Sequence, residues 1–223
     1  MHSAGRVGSG PVCQGGTRLS RALRSGSPEQ STAGRRNYAR RRNDGDGGNA
    51  GKDGTVTIDR IGPPLTGGER ETLRAFLDYQ RATLAMKCEG LTDADLRRRS
   101  MPPSTLTLLG LVRHMAEVER TWFRRVIAAE DVPLVWSDRG DYQVAYDAGA
   151  ATRAEAFEAW HAEVAHARRI ERDAASLDVT GHQARWGQDV SLRLVMVHVT
   201  LEYARHNGHA DLIREGIDGA VGA

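Results

Sequence analysis

At 223 residues the chain is sized for one domain, with room for a tail. Its 31 Lys and Arg nearly balance 29 Asp and Glu, but residues 1–53 hold nine Arg and one Lys against four acids. The remainder is net acidic, which excludes a globally basic nucleic-acid binder, and no apolar run nears the ~20 residues of a membrane span.

Residues 1–54 are rich in Gly, Ser and Arg, carry twelve of the 25 glycines and show no hydrophobic period. Such a stretch buries too little surface to offset the entropy of ordering, so it is expected to be a disordered tail. The runs Arg35-Arg36 and Arg40-Arg41-Arg42 could hold phosphates. A transit peptide shares the Arg and Ser content, but the glycine density and the missing amphipathic stripe oppose that reading. A dispensable extension is favoured, with no nucleic-acid partner expected. The folded domain is expected over residues 55–223, with order setting in near Thr55–Ile61. Cys13 and Cys88 are the only cysteines, so there is no disulfide framework, and a reducing cytoplasm is the expected setting.

After Pro63-Pro64, Thr66 stands three residues before Glu69, a capping-box spacing. Leu73, Phe76, Leu77, Gln80 and Leu84 then predict a first helix over about 68–88, stopped by Gly90. Thr92–Leu96 predicts a short turn, and Pro102-Pro103 blocks continuation. The stripe Leu108, Leu111, Met115, Val118, Trp122, Val126 predicts a second helix over about 105–128. Residues 131–150 read as a connection. A third helix is expected over about 152–175, opened by Thr152 and Glu155 and carrying Phe157, Trp160, Val164 and Ile170. A loop with Gly181, Trp186 and Gly187 leads to a fourth, over about 191–214, closed by Gly216. No strand is expected. The fold class that follows is all-α, an antiparallel four-helix bundle.

The fourth helix carries the informative pattern. His198, Glu202, His206 and His209 fall within roughly 80° of one another on a helical wheel, on the face that also holds Val195, Val199 and Ile213. Burying a carboxylate there without a counter-charge costs several kcal/mol. Arg205 lies off that arc, so a divalent cation or a buried polar network must compensate. Two residues one turn apart cannot hold an ion alone; His114, on the second helix between Leu111 and Val118, supplies a third ligand. His114, Glu202 and His206 would form an open His₂Glu set, with a fourth position for water or substrate. His198 and His209 are auxiliary candidates, orienting ligands or reaching solvent. Arg97–Arg99 and Arg124-Arg125 read as solvated faces, and Glu163 on the third helix as exterior. No nucleophile motif stands out, so the catalytic residues stay unassigned.

The segments Leu91–Leu96, Leu108–Phe123 and His198-x3-Glu202-x3-His206-Asn-Gly-His209-Ala-Asp-Leu-Ile-Arg-Glu215 resemble the DinB-like superfamily, and within it the actinobacterial "mini-circle" branch. The resemblance covers about residues 63–218. It implies a four-helix bundle, often a homodimer, holding one divalent metal, zinc foremost and nickel as the alternative. It matches the family triad to His114, Glu202 and His206. Where many members carry His, Glu202 is similar to the metal domain of mycothiol-dependent maleylpyruvate isomerase. That likeness implies a low-molecular-weight thiol and an electrophile as the small-molecule partners, with a metal-dependent S-transferase or detoxifying activity. The isomerase carries a further C-terminal domain and this chain ends at Ala223, so maleylpyruvate isomerisation is not expected. A non-enzymatic, stress-associated metal-binding bundle is the alternative.

Overall fold

The computed structural model describes residues 60–222. The tail expected over residues 1–54 lies outside the described residues. Of those described, 59% are helical and 5% extended, so the described part of the chain is mostly helical. Among the described residues, no helix is long and apolar enough to cross a membrane.

Helix α1 runs Glu69–Lys87, with Gly68 at its N-cap and no side-chain cap, so Thr66 does not close the capping box expected of it. The helix ends at Cys88, and Gly90, at φ 73°, takes the left-handed conformation that turns the chain away. Leu77 and Leu84 are buried, whereas Phe76 is 44% exposed and faces solvent. Helix α2, Asp93–Leu96, is a single turn held by a capping box between Thr92 and Asp95 that buries Leu96.

Helix α3 spans Leu108–Glu119, capped by Thr107, and continues without a break as a π-helix over Arg120–Ile127. The wide turn keeps Val118, Trp122 and Val126, four residues apart, on the buried side. The connection that follows contains a 3-10 helix, Tyr142–Tyr146, started by the Asp141 side chain accepting from the Gln143 amide. Helix α4, Arg153–Asp173, opens with the expected Thr152–Glu155 capping box.

A hairpin stands where only a loop was expected. Strands β1, Thr180–Gln183, and β2, Gln188–Ser191, pair antiparallel with Gly181 opposite Val190 and His182 opposite Asp189. Its sequence lacks the β-branched alternation that announces a strand. Its place is fixed from outside: a Cβ on Gly181 would lie 1.9 Å from the Val126 carbonyl, so only glycine lets β1 press onto the π-helix. Ser191 then caps α5, Leu192–Asp218. Gly216 does not stop this helix. It lies inside it, where a Cβ would come within 3.0 Å of Ser100, and Gly219 at φ 79° ends the helix instead.

Side-chain contacts give the helix directions. Arg193 pairs with Glu69 and Lys87 with Asp211, so α1 and α5 run the same way. Glu171 takes Arg70 and Arg74 while Arg168 takes Asp78, which sets α4 against α1. Tyr203 meets Glu119 and His198 meets Trp122, which sets α3 against α5. Between them lies a core of Leu77, Leu84, Leu111, Met115, Trp160, Val195 and Val199, all 0–2% exposed.

Two surface expectations change with this packing. Glu163 is buried, accepting from Arg120 at 2.6 Å and Arg124 at 3.2 Å. Arg124 is thereby drawn off the solvated face, while Arg125, Arg98 and Arg99 stay exposed.

Candidate metal centre

Helix α3 delivers His114, and α5, running the other way, delivers Glu202 and His206 one turn apart. Each offers a ligand atom, and these atoms lie within 4.8 Å of one another. Tetrahedral zinc with bonds of about 2.0–2.2 Å puts ligand atoms about 3.3–3.6 Å apart, so side-chain shifts of about an ångström would draw all three onto one ion. The residues picked out from two distant stretches of sequence therefore converge.

The imidazoles are held neutral. Burial pushes His114 down to about 3, helped by His206 and Arg205 nearby. Burial likewise pushes His206 down to about 4, outweighing the opposing pull of Glu202. A neutral imidazole keeps a lone pair for a cation. His206 Nε2 faces Glu202 Oε2 at 3.6 Å. Its Nδ1 meets His209 Nδ1 at 3.3 Å, so in the tautomer with the His206 proton on Nδ1 that bond orients the ring and leaves Nε2 free.

His198 lies one turn earlier, its Nε2 3.8 Å from Glu202 Oε1. Burial lowers its pKa despite Glu202 beside it. Both auxiliary histidines thus abut a member of the trio. Contrary to the helical-wheel argument, Arg205 does reach the carboxylate, with Nη1 3.3 Å from Glu202 Oε1. Its side chain is 63% exposed, so this pair holds Glu202 only weakly.

The fit to a cation is decided at His114. Both its ring nitrogens are buried, and neither has a hydrogen-bond partner. A buried polar atom left without a partner costs about 1–3 kcal/mol. Two such atoms on one side chain, facing a carboxylate and a second imidazole, form the donor set a divalent ion satisfies. Cys88, buried and pushed up to about 12 by that burial, is outside this set.

Three residues given no part in the site by the sequence complete the surroundings. Tyr146 stacks on His114, with ring centroids 4.5 Å apart and planes 19° from parallel. Trp122 and Trp186 bracket His198 at 4.3 and 5.8 Å. Trp122 read as core packing, which it also is. Tyr146 and Trp186 lie in segments without period, where no local signal marks them.

A family model described as mycothiol-S-transferase matches residues 72–219. A search of curated proteins finds no match. The matched span begins in α1, ends with α5 and includes all three converging side chains, which agrees with the DinB-like resemblance read from the motifs. On a match over more than half its length, the chain belongs to the mycothiol S-transferase family, a DinB-like family.

Proposed function

We propose that the chain is a divalent-metal-dependent S-transferase that joins a low-molecular-weight thiol of the mycothiol type to an electrophile, a detoxifying reaction. His114, Glu202 and His206 hold the ion, zinc before nickel, and leave one position for an exogenous ligand. The observation that carries this reading is the neutral, partnerless His114 imidazole, facing Glu202 and His206 in a chain of this family. A bound divalent cation supplies one thing, a lower thiol pKa, so that a thiolate exists near neutral pH.

The chain's own residues do the rest. His198, neutral through burial, accepts the thiol proton at Nε2. His209 holds the His206 ring through the Nδ1 contact. Trp186, exposed and leaning at 56° on the buried Trp122, offers an aromatic face to an aromatic electrophile. The sulfur–carbon bond forms as the leaving group departs with the electron pair of its broken bond, and the proton remains on His198. The architecture we assign is the four-helix bundle of the DinB-like resemblance, α1 and α5 against α3 and α4, in a cytoplasmic homodimer.

The test is to incubate the metal-loaded chain with mycothiol, bacillithiol or glutathione and a chloro-aromatic electrophile, reading conjugate by mass spectrometry. Conjugate that requires metal and disappears in Glu202→Ala supports the proposal. Absence of conjugate with every thiol, while metal still raises the melting temperature, supports the non-enzymatic metal-binding alternative.

A further inference from the structure

A ligand imidazole is ordinarily oriented by a hydrogen bond from its second ring nitrogen. His206 has such a contact, in His209; His114 has none on either nitrogen. Its ring is instead caught between two others. Tyr146 lies nearly parallel on one side, and His206 stands edge-on at 4.6 Å and 67°.

The connection bearing Tyr146 is fastened to α3 at positions that flank His114. A Cβ at Gly110, one turn before His114, would come within 2.7 Å of the Tyr146 carbonyl, so glycine there permits the close approach. Arg113 donates to the carbonyls of Ala145 at 3.1 Å and Val144 at 3.3 Å. Its guanidinium covers the Trp136 ring at 4.0 Å, and the Trp136 indole N–H returns a bond to the Arg113 carbonyl. Glu117, one turn after Arg113, accepts from the Trp136 amide at 2.8 Å. Gly110, Arg113 and Glu117 thus form a stripe with His114 on one face of α3. Three of the four grip the connection; the fourth is the histidine beneath its tyrosine.

From this we infer that Tyr146 is a positioning residue for the metal centre: its ring, by stacking, sets the plane of the His114 imidazole in place of a hydrogen bond. The inference rests on His114 being a metal ligand. It separates ring from hydroxyl, since stacking needs only the ring.

The test compares full-length wild type with Tyr146→Phe, Tyr146→Leu and Gly110→Ala. Metal-free protein is titrated with Co(II), following affinity and the visible spectrum of the bound ion, and the His114 ring protons are followed by NMR before metal is added. Wild type and Tyr146→Phe are expected to bind within about twofold of each other with the same spectrum. Tyr146→Leu should bind 10–100-fold more weakly, the range for losing a residue that supports a ligand, with an altered spectrum. It should also lose the upfield shift that the stacked ring imposes on His114. If Tyr146→Leu does not fold, Gly110→Ala carries the test: it keeps the tyrosine, displaces its backbone, and should weaken binding in the same direction. Unchanged affinity, spectrum and His114 shift in Tyr146→Leu or Gly110→Ala overturns the inference, as does an equal loss in Tyr146→Phe, which would assign the role to the hydroxyl. Wild type failing to bind Co(II) at all overturns the metal reading itself, and that result is told apart because the NMR comparison is made without metal.

Discussion

Glu202 and Tyr203 are neighbours on α5, yet they serve two clusters in opposite states. Tyr203 donates to Glu119 at 2.8 Å and accepts from the Trp160 indole at 2.7 Å, while Arg81 donates to both Glu119 oxygens at 2.8 and 2.7 Å. The third Arg81 nitrogen takes Asp78 at 3.0 Å. Burial opposes charge on Arg81, but the Glu119 carboxylate overcomes it and raises the guanidinium pKa. Burial, with Glu119 adding to it, also pushes the Tyr203 phenol well above its usual range. That network is closed. The neighbouring cluster, built from His114 on α3 and from Glu202 and His206 on α5, leaves both His114 nitrogens without hydrogen-bond partners. One set of buried polar groups is satisfied within the core and the adjacent one is left open, which is the arrangement the proposed metal site requires.

The largest expected effect lies in the closed network. Arg81→Met strands the Glu119 carboxylate at 0% exposure and should cost about 3–5 kcal/mol in urea unfolding of the metal-free chain. A loss under 1 kcal/mol would mean the network is not the structural one of the pair. Metal should act only on the open cluster. At an ion concentration about a thousand times Kd, stability rises by about 4 kcal/mol. Calorimetry should show that rise in wild type and none in Glu202→Ala.

Acid should find the open cluster next. His114 and His206 are held at about 3 and about 4, while an unfolded histidine titrates near 6.5. Below pH 6.5 the unfolded chain therefore takes up protons that the folded one refuses, and stability falls with pH until those lower values are passed. Melting temperatures of metal-free protein between pH 7 and 4 check the sign, and His114→Leu should flatten the slope. The smallest effect runs against intuition. His114→Leu removes two partnerless nitrogens, so it should stabilise the metal-free chain by about 1 kcal/mol while abolishing the gain from metal. The corresponding change in the closed network destabilises.

The two clusters also differed in legibility. His198, Glu202 and His206 repeat every four residues on an aliphatic helix face, a pattern that buried packing alone does not call for, so the open cluster showed in the sequence. The closed one carried a signal too: Arg81 stands between Leu77 and Leu84 at helical spacing, which turns it inward, and Glu119 adjoins the stripe of Leu111, Met115 and Val118. A lone charge on an apolar face reads as an edge residue until its partner is known, and that partner is 38 positions away. The four long helices were legible from periodicity, while two of their end signals, Thr66 and Gly216, were not the ones used. The π-helix was not, because Val118, Trp122 and Val126 suit either helix. Nor was the hairpin, whose strands lack alternation and depend on the close approach at Gly181. Tyr146 was hidden for the same reason, its position being set by contacts to α3 rather than by its neighbours in sequence.

Metal content of the purified chain tests the central claim most directly. After equilibration with zinc and exhaustive dialysis, elemental analysis should find one ion per wild-type chain, none in His114→Ala, Glu202→Ala or His206→Ala, and a full complement in Cys88→Ala. A wild type without zinc or any other divalent ion, or a full ion retained by any one of the three ligand variants, would contradict it.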